Sequence, residues 1–429
     1  MICLKRVCGI FLGLLCWVNT ALASDKNGIV LLSRQTQNQL TALELSFKGG
    51  FSQAPNGKEG LEALLLELLV RGGSNSQDTL SFRHSLDSLQ VSLSWMVQPD
   101  VSLLLMKCPA IHTQAAVALL QQLLLSPGWD ASLFNRIQEE RINWLDHEEV
   151  ETQEKVKRFS RFHYFRGTPY ARHPLGTSAS VSSISLNDLK SYHKNNWVKS
   201  ALQVYLVSPL SETEVEEWVE EPLARLPLGM YVPQEPTGVK KLDAPFFQGI
   251  KDSSGIPILY GFVAVPPLSE GKSGLAAFLL ASLLDQQMRQ EFKNNRSLDV
   301  SVYAAYDFQR LPGVGLLIEG MEFKTYALIL TGILQKIQEE GFSAEEIRQH
   351  RERLLVVYYT GLQENQELAS HLRNWNYFAN PQMEASLPVL LREITTDDLK
   401  QVWNIYFKNF HWTYIGLPSL LQAEDLKGK

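Results

Sequence analysis

The chain has 429 residues, 45% of them apolar and 20% charged, which excludes a disordered or fibrous protein and exceeds the length of one ordinary domain. Two domains are expected. A formal charge of −6 argues against nucleic acid as a partner.

Residues 1–23, MICLKRVCGIFLGLLCWVNTALA, open with Lys5-Arg6, continue through an apolar run from Val7 to Val18 and end on Ala21-Leu22-Ala23. This order reads as a secretory signal removed after Ala23. The run is shorter than the about 20 residues of a spanning helix, so no membrane is expected for the mature chain. A lipid on Cys16 is disfavoured because Leu15 precedes it instead of a small residue. The expected location is periplasmic or secreted. Cys3, Cys8 and Cys16 all lie in the leader, which leaves Cys108 alone and allows no internal disulfide. Cys108 reads as a buried, inert thiol.

Ala42–Phe47 reads as a strand that leads through Gly49-Gly50 into residues 57–73, GKEGLEALLLELLVRGG. Leu61, Leu64, Leu65, Leu68 and Leu69 fall on one helical face, and Ala63, Leu66 and Val70 make most of the remainder apolar. A helix over 60–72 of this kind must be covered on nearly all sides. Glu67 is its problem residue. It is either a surface carboxylate paired with Arg71 four residues on, or a cleft-lining group, because an ionised carboxylate has to face water or a partner.

Leu89–Trp95 and Val101–Lys107 read as antiparallel strands across Gln98-Pro99-Asp100, and Ala115–Leu125 as an apolar helix. From Asp130 to Phe165 the chain is charged and helical, and it reads as solvated. Residues 168–177, TPYARHPLGT, precede ISLNDLK at 184–190, where Ser185 or Asn187 can cap a helix, and the strand Ala201–Val207 follows. Prolines 222, 227, 233, 236 and 245 then mark a linker at 227–246.

After the linker the pattern starts again. GKSGLAAFLLASLL from Gly271 repeats the segment at Gly57, FSAEEIRQHRERL from Phe342 answers WDASLFNRIQEERI from Trp129, and ITTDDLK from Ile394 repeats ISLNDLK from Ile184. The offsets are 214, 213 and 210, too long for a solenoid and in constant order. The chain is therefore expected to hold two homologous α+β domains, 24–226 and 247–429, produced by internal duplication.

The glycine-flanked helix, the TPYARHPLGT and ISLNDLK block and the duplicated frame resemble the pitrilysin/insulinase family of metallopeptidases across nearly all of the mature chain. That resemblance implies domains built from a mainly antiparallel sheet packed with helices, and paired subunits facing each other. In the family this helix carries an inverted zinc motif, HxxEH, whose two imidazoles share a face while the glutamate deprotonates bound water. Here Ala63 stands at the first histidine, Leu66 at the glutamate and Glu67 at the second histidine. IQEER around Glu139 resembles the segment carrying the third ligand, so Glu139 is a relic ligand or a surface residue. Family members also grip the substrate backbone with an arginine and a tyrosine. Arg289 matches the arginine, Val300 stands at the tyrosine, and Tyr303 is the substitute nearby.

No two of the nine histidines are three or four residues apart, and His147 and His350 lie in charged helices where solvation is expected. Gly271-Lys272-Ser273 lacks the leading glycine of a phosphate loop, since Pro266 holds that place, and no GxSxG elbow occurs. The expected function is that of a non-catalytic subunit of a heterodimeric zinc peptidase, binding extended peptides, with no cofactor of its own and zinc held by its partner. Two rivals stay open: an active metallopeptidase using Glu67, Glu139 and a remote histidine, and a purely structural scaffold subunit. Intact-mass measurement of exported protein is expected to give a chain beginning at Ser24; a mass retaining residues 1–23 contradicts the leader assignment.

Overall fold

The strand Leu40–Lys48 turns Leu43, Leu45 and Phe47 to one side and Ala42, Glu44 and Ser46 to the other, and all six are buried. A strand buried on both faces needs a sheet covered on both faces. The computed structural model describes residues 22–24, 28–147, 152–232, 242–253, 255–295, 298–361 and 363–427. Among these, β1 (Leu22–Ser24), β2 (Val30–Gln35), β3 (Leu40–Lys48), β4 (Ser92–Val97), β5 (Val101–Pro109) and β6 (Leu202–Ser208) form a sheet in the order β1-β2-β6-β3-β5-β4. A second sheet, in the order β7-β11-β8-β10-β9, uses β7 (Phe246–Lys251), β8 (Ile258–Ala264), β9 (Val300–Tyr306), β10 (Gly313–Gly320) and β11 (His411–Gly416). The pairs β2–β6 and β7–β11 are parallel and the remainder antiparallel.

Apart from β1, the second order is the first with every strand advanced by five. The protein is thus α+β, with two homologous domains that each pack helices on a mainly antiparallel sheet. The repeated motifs also meet each other in the same way in both halves. Ser185 and Thr395 each cap a helix through a reciprocal capping box, with Asp188 and Asp398 respectively. Lys58 reaches Asp188 at 3.0 Å, and Lys272 reaches Asp398 at 2.7 Å. Lys272 therefore tethers a helix start, as Lys58 does. The leader, apart from Leu22–Ala23 in β1, and residues 233–241 of the linker lie outside the described residues.

One face of each sheet is packed by helices of its own half, and the other face by a helix from the opposite half. The helix Thr152–Tyr164 lies on β8 and β11, with Val156 and the following Phe165 among Ile258, Phe262, Leu317 and Ile415. The helix Asn365–Phe378 lies on β3 and β6, with Leu368, Ala369 and Leu372 against Leu32, Tyr205 and Val207. Their first residues are 213 apart, the offset of the flanking repeat. This corrects the reading of 130–165 as a solvated stretch: its second helix supplies the cover for the other domain's sheet. His350 is likewise buried, between Gln286 and Ser282 Oγ at 2.8 Å, and burial lowers its pKa to about 4.

The exchange explains a buried charge inside β3. Glu44 is fully buried and accepts hydrogen bonds from Arg373 Nε at 2.9 Å, from Gln366 Nε2 at 2.7 Å and from Ser370 Oγ, all on the crossing helix Asn365–Phe378. A buried pair this well hydrogen-bonded is costly to break from one side, because the surviving charge is left unpaired. Arg373→Ala is expected to destabilise the protein by about 3–5 kcal/mol in urea titration, and Glu44→Leu combined with Arg373→Leu to recover most of that loss. Equal destabilisation in the single and double variants would contradict a charge-pairing role.

Candidate functional site

The helix Leu61–Gly72 runs between the glycines its sequence requires. Gly60 has φ 92°, and a Cβ there would lie 2.5 Å from the Leu175 carbonyl oxygen, so the HPLGT loop crosses directly over the helix start. Ala63 and Leu66 are fully buried in the core. Glu67 is partly shielded and forms two ion pairs. It accepts from Arg71 Nη1 at 2.9 Å and from Arg141 Nη2, while Arg71 also donates to Glu140 at 2.6 Å. The pairing with Arg71 anticipated from spacing is present, and Arg141 extends it into a network.

Arg141 comes from the helix Ala131–Asp146 and lies 5.7 Å from the ring centre of Trp95 on β4. It is buried, and its Nη1 has no hydrogen-bond partner among the described residues. Glu139 is exposed and lies two positions earlier, about 200° around the helix, so it points away from Glu67. The relic-ligand reading of Glu139 is corrected accordingly: the side chain that the downstream helix brings to Glu67 is a guanidinium.

A zinc ion needs about four converging nitrogen, sulfur or oxygen ligands. The positions here offer a methyl group, an isobutyl group and a carboxylate already held by two arginines, with a cation where a third ligand would come. These residues do not fit zinc. Among the described residues no group of three His, Cys, Asp or Glu gathers in a metal-binding arrangement.

Arg289 and Tyr303 are not brought together. Arg289 is exposed on the helix Lys272–Asn294, paired with Asp285 at 2.8 Å on the core-side face of the second sheet. Tyr303 points to the opposite face of β9, where Lys157 Nζ lies 5.7 Å from its ring centre. The period of a strand decides this, since Val302 and Ala304 face the helix and Tyr303 between them cannot. The substitution of Tyr303 for a family tyrosine paired with Arg289 is therefore corrected.

Two site residues escaped the sequence reading. Arg141 is one charge among many in a charged helix, and spacing does not say which of them turns inward. Glu62 precedes Ala63 and resembles an ordinary acidic residue in a helix's first turn. In the structure it is buried, accepting from Ser102 Oγ at 2.5 Å and from the Tyr192 hydroxyl. Burial drives its pKa up to about 7, against the two hydrogen bonds, which pull it down. Cys108 is buried, and burial pushes its thiol pKa up.

The chain is similar in sequence and in fold to known proteins. The family model described as the peptidase M16 inactive domain matches residues 183–354. The non-peptidase homolog YmxG of Helicobacter pylori is 22% identical over 346 residues, covering 78% of each chain. The mitochondrial-processing peptidase subunit beta of Dictyostelium discoideum is 20% identical over 210 residues, 48% of this chain and 44% of that one. The structure of the periplasmic protease PqqL from Escherichia coli superposes with a TM-score of 0.79 at 14% identity, covering 95% of this chain and 49% of that chain. The fold and the altered zinc helix define a class, the pitrilysin-like proteins of the inactive kind. The chain is similar to the peptidase M16 (pitrilysin/insulinase) family over residues 183–354 and in fold, with Ala63, Leu66 and Glu67 at the positions of the HxxEH motif, and the relatives it matches include a protein named as a peptidase subunit.

The Glu62 carboxyl gives the helix a pH dependence. Folded, it keeps its proton up to about pH 7, whereas an ordinary glutamate releases it near 4.5. The folded state then binds the extra proton, so stability falls as pH rises from 4.5 towards 7 and stays low above it. Glu62→Gln, which keeps partners for Ser102 and Tyr192, is expected to raise stability at pH 8 by on the order of 3 kcal/mol and to change it little near pH 4. Urea titrations at the two pH values measure the difference, and an equal effect at both contradicts a protonated Glu62.

Proposed function

We propose that this protein is the non-catalytic subunit beside a zinc-bearing pitrilysin-like chain, and that it binds extended peptides for that partner. The observation that carries the reading is the zinc helix, preserved in position and frame but closed by the Glu67–Arg141 pair next to an open sheet edge. β4 pairs with β5 on one side only, and its side chains alternate between exposed and half-buried. A peptide added to that edge gains main-chain hydrogen bonds, and it passes Trp95 and the Arg141 guanidinium, whose Nη1 has a donor to spare for a carbonyl oxygen. The metal and the activated water belong to the partner, and this chain supplies enclosure and peptide binding.

A subunit of a mitochondrial-processing peptidase among the relatives supports the pairing, as does a protease chain twice this length whose one half takes the same fold. The leader-like residues 1–23 and the periplasmic location of that protease support export to the periplasm. No helix among the described residues is long and apolar enough to cross a membrane.

Mixing the mature protein with a similar-sized chain bearing an intact HxxEH is expected to give a complex that survives gel filtration, as an interface well above about 1,000 Å² would, and to raise peptidase activity above that of the partner alone. Arg141→Ala is expected to leave the complex intact and to weaken peptide binding by about tenfold. A partner that is fully active alone and never co-elutes overturns the proposal.

A further inference from the structure

The exchanged helices are equivalent by sequence offset, yet what lies beneath them differs. Under the helix Asn365–Phe378, Arg373 fills the space against the first sheet, reaching Glu44 at 2.9 Å and Gln98 at 3.3 Å. At the same offset of 213 the other helix has Ser160, whose hydroxyl spans only to His411 Nδ1 at 3.4 Å. The missing side-chain volume leaves a cleft of 260 Å³ between the helix Thr152–Tyr164 and the second sheet. That is somewhat below the about 300–1,000 Å³ of sites for drug-sized ligands, and suits a smaller molecule.

The cleft is furnished with charges and an idle donor. Gln309 lines it, is 5% exposed, and its Nε2 is buried with no partner among the described residues. Arg161 lines it too, lies 5.7 Å from the ring centre of Phe51, and makes no ion pair among the described residues. Lys157 is partly engaged by Glu154 at 2.8 Å, which offsets its charge. Asp307 supplies the negative group on the sheet side. The walls are aromatic: Phe262 and Tyr303 flank the charges, and Gly315 makes room for Tyr260, since a Cβ there would lie 2.2 Å from the Tyr260 hydroxyl oxygen.

We infer that this cleft binds a free α-amino acid with an apolar or aromatic side chain. Arg161 and the Gln309 amide receive its carboxylate, Asp307 its ammonium group, and the aromatic walls its side chain. A cation, an anion and an orphaned donor in one aromatic-walled space match a zwitterion; a simple anion would leave Asp307 opposed and a simple amine would leave Arg161 and Gln309 unmet. The inference is independent of the partnership proposed above, since the cleft lies on the opposite domain's sheet from Arg141.

Calorimetric titration of the mature protein with L-phenylalanine and L-leucine tests it, with 3-phenylpropanoate and phenethylamine as probes lacking one charge each. The amino acids are expected to bind, and each single-charge probe to bind at least about tenfold more weakly. Asp307→Asn is expected to weaken L-phenylalanine by about tenfold while strengthening 3-phenylpropanoate, which no longer meets an opposing carboxylate, and Arg161→Gln to weaken both. Ser160→Arg, which refills the cleft as Arg373 does in the other half, is expected to abolish binding with the circular dichroism spectrum intact. Absence of binding by either amino acid at millimolar concentration overturns the assignment, as does binding that persists in a folded Ser160→Arg protein. If Ser160→Arg does not fold, the Asp307→Asn comparison decides alone: equal loss for L-phenylalanine and 3-phenylpropanoate overturns ammonium recognition.

Discussion

The structure depends on the hydrogen-bonded ion pair between Glu44 in the middle of one domain's sheet and Arg373 on a helix that belongs to the other. Both are almost completely removed from water, so neither can be left without its partner. The pair pins a helix over a face that would otherwise expose Leu32, Tyr205 and Val207. The reciprocal helix does the same for Ile258, Phe262 and Ile415 with apolar contacts in place of charge. Each half therefore completes the other, and neither sheet is covered on both faces within its own sequence segment.

This mutual dependence separates what duplication kept from what it released. The capping boxes, the lysine tethers Lys58 and Lys272, and the strand order persist in both halves because they hold each helix and strand in place. Positions under the exchanged helices diverged: Arg373 against Ser160 and, by strand register, Glu44 against Ile258. One half closes that space with a salt bridge and the other leaves a polar cleft. Divergence was cheap there because the covering helix is secured elsewhere along its length, by Val156 in one case and by Leu368, Ala369 and Leu372 in the other.

The altered zinc helix follows the same physics. An apolar helix covered on nearly all sides tolerates Ala63 and Leu66, which bring only packing, whereas Glu67 stays tolerable because Arg71 and Arg141 satisfy both oxygens. Glu62, with no cation beside it, is accommodated by holding its proton. Two carboxyls five positions apart on one helix are thus accommodated differently by their neighbours, Glu67 in ion pairs and Glu62 hydrogen-bonded to hydroxyls.

The amino-acid sequence by itself determined the duplication, the strands from Ala42 to Phe47 and from Val101 to Lys107, a helix with Ser185 or Asn187 as its cap and, through the family resemblance, the replacement of the zinc motif at Ala63, Leu66 and Glu67. The strands and the helix follow from residue type at fixed spacing along one segment, the duplication from repeats in constant order, and the zinc-motif positions from the resemblance. The short strand β2 went unread because its apolar run Ile29–Leu32 is brief, and the helix Thr79–Ser88, with its Asp78 cap, because its pattern is largely polar. Only the tertiary structure decided that Arg141 and not Glu139 meets Glu67, that Arg289 and Tyr303 lie on opposite faces of a sheet, that His350 is buried, and that the helix Thr152–Tyr164 crosses to the other domain. Local periodicity gives a segment a face, but it does not say which surface that face will meet. In this chain the deciding contacts join residues as much as 329 positions apart, as Glu44 and Arg373 are, and a contact of that kind leaves no local trace in either segment.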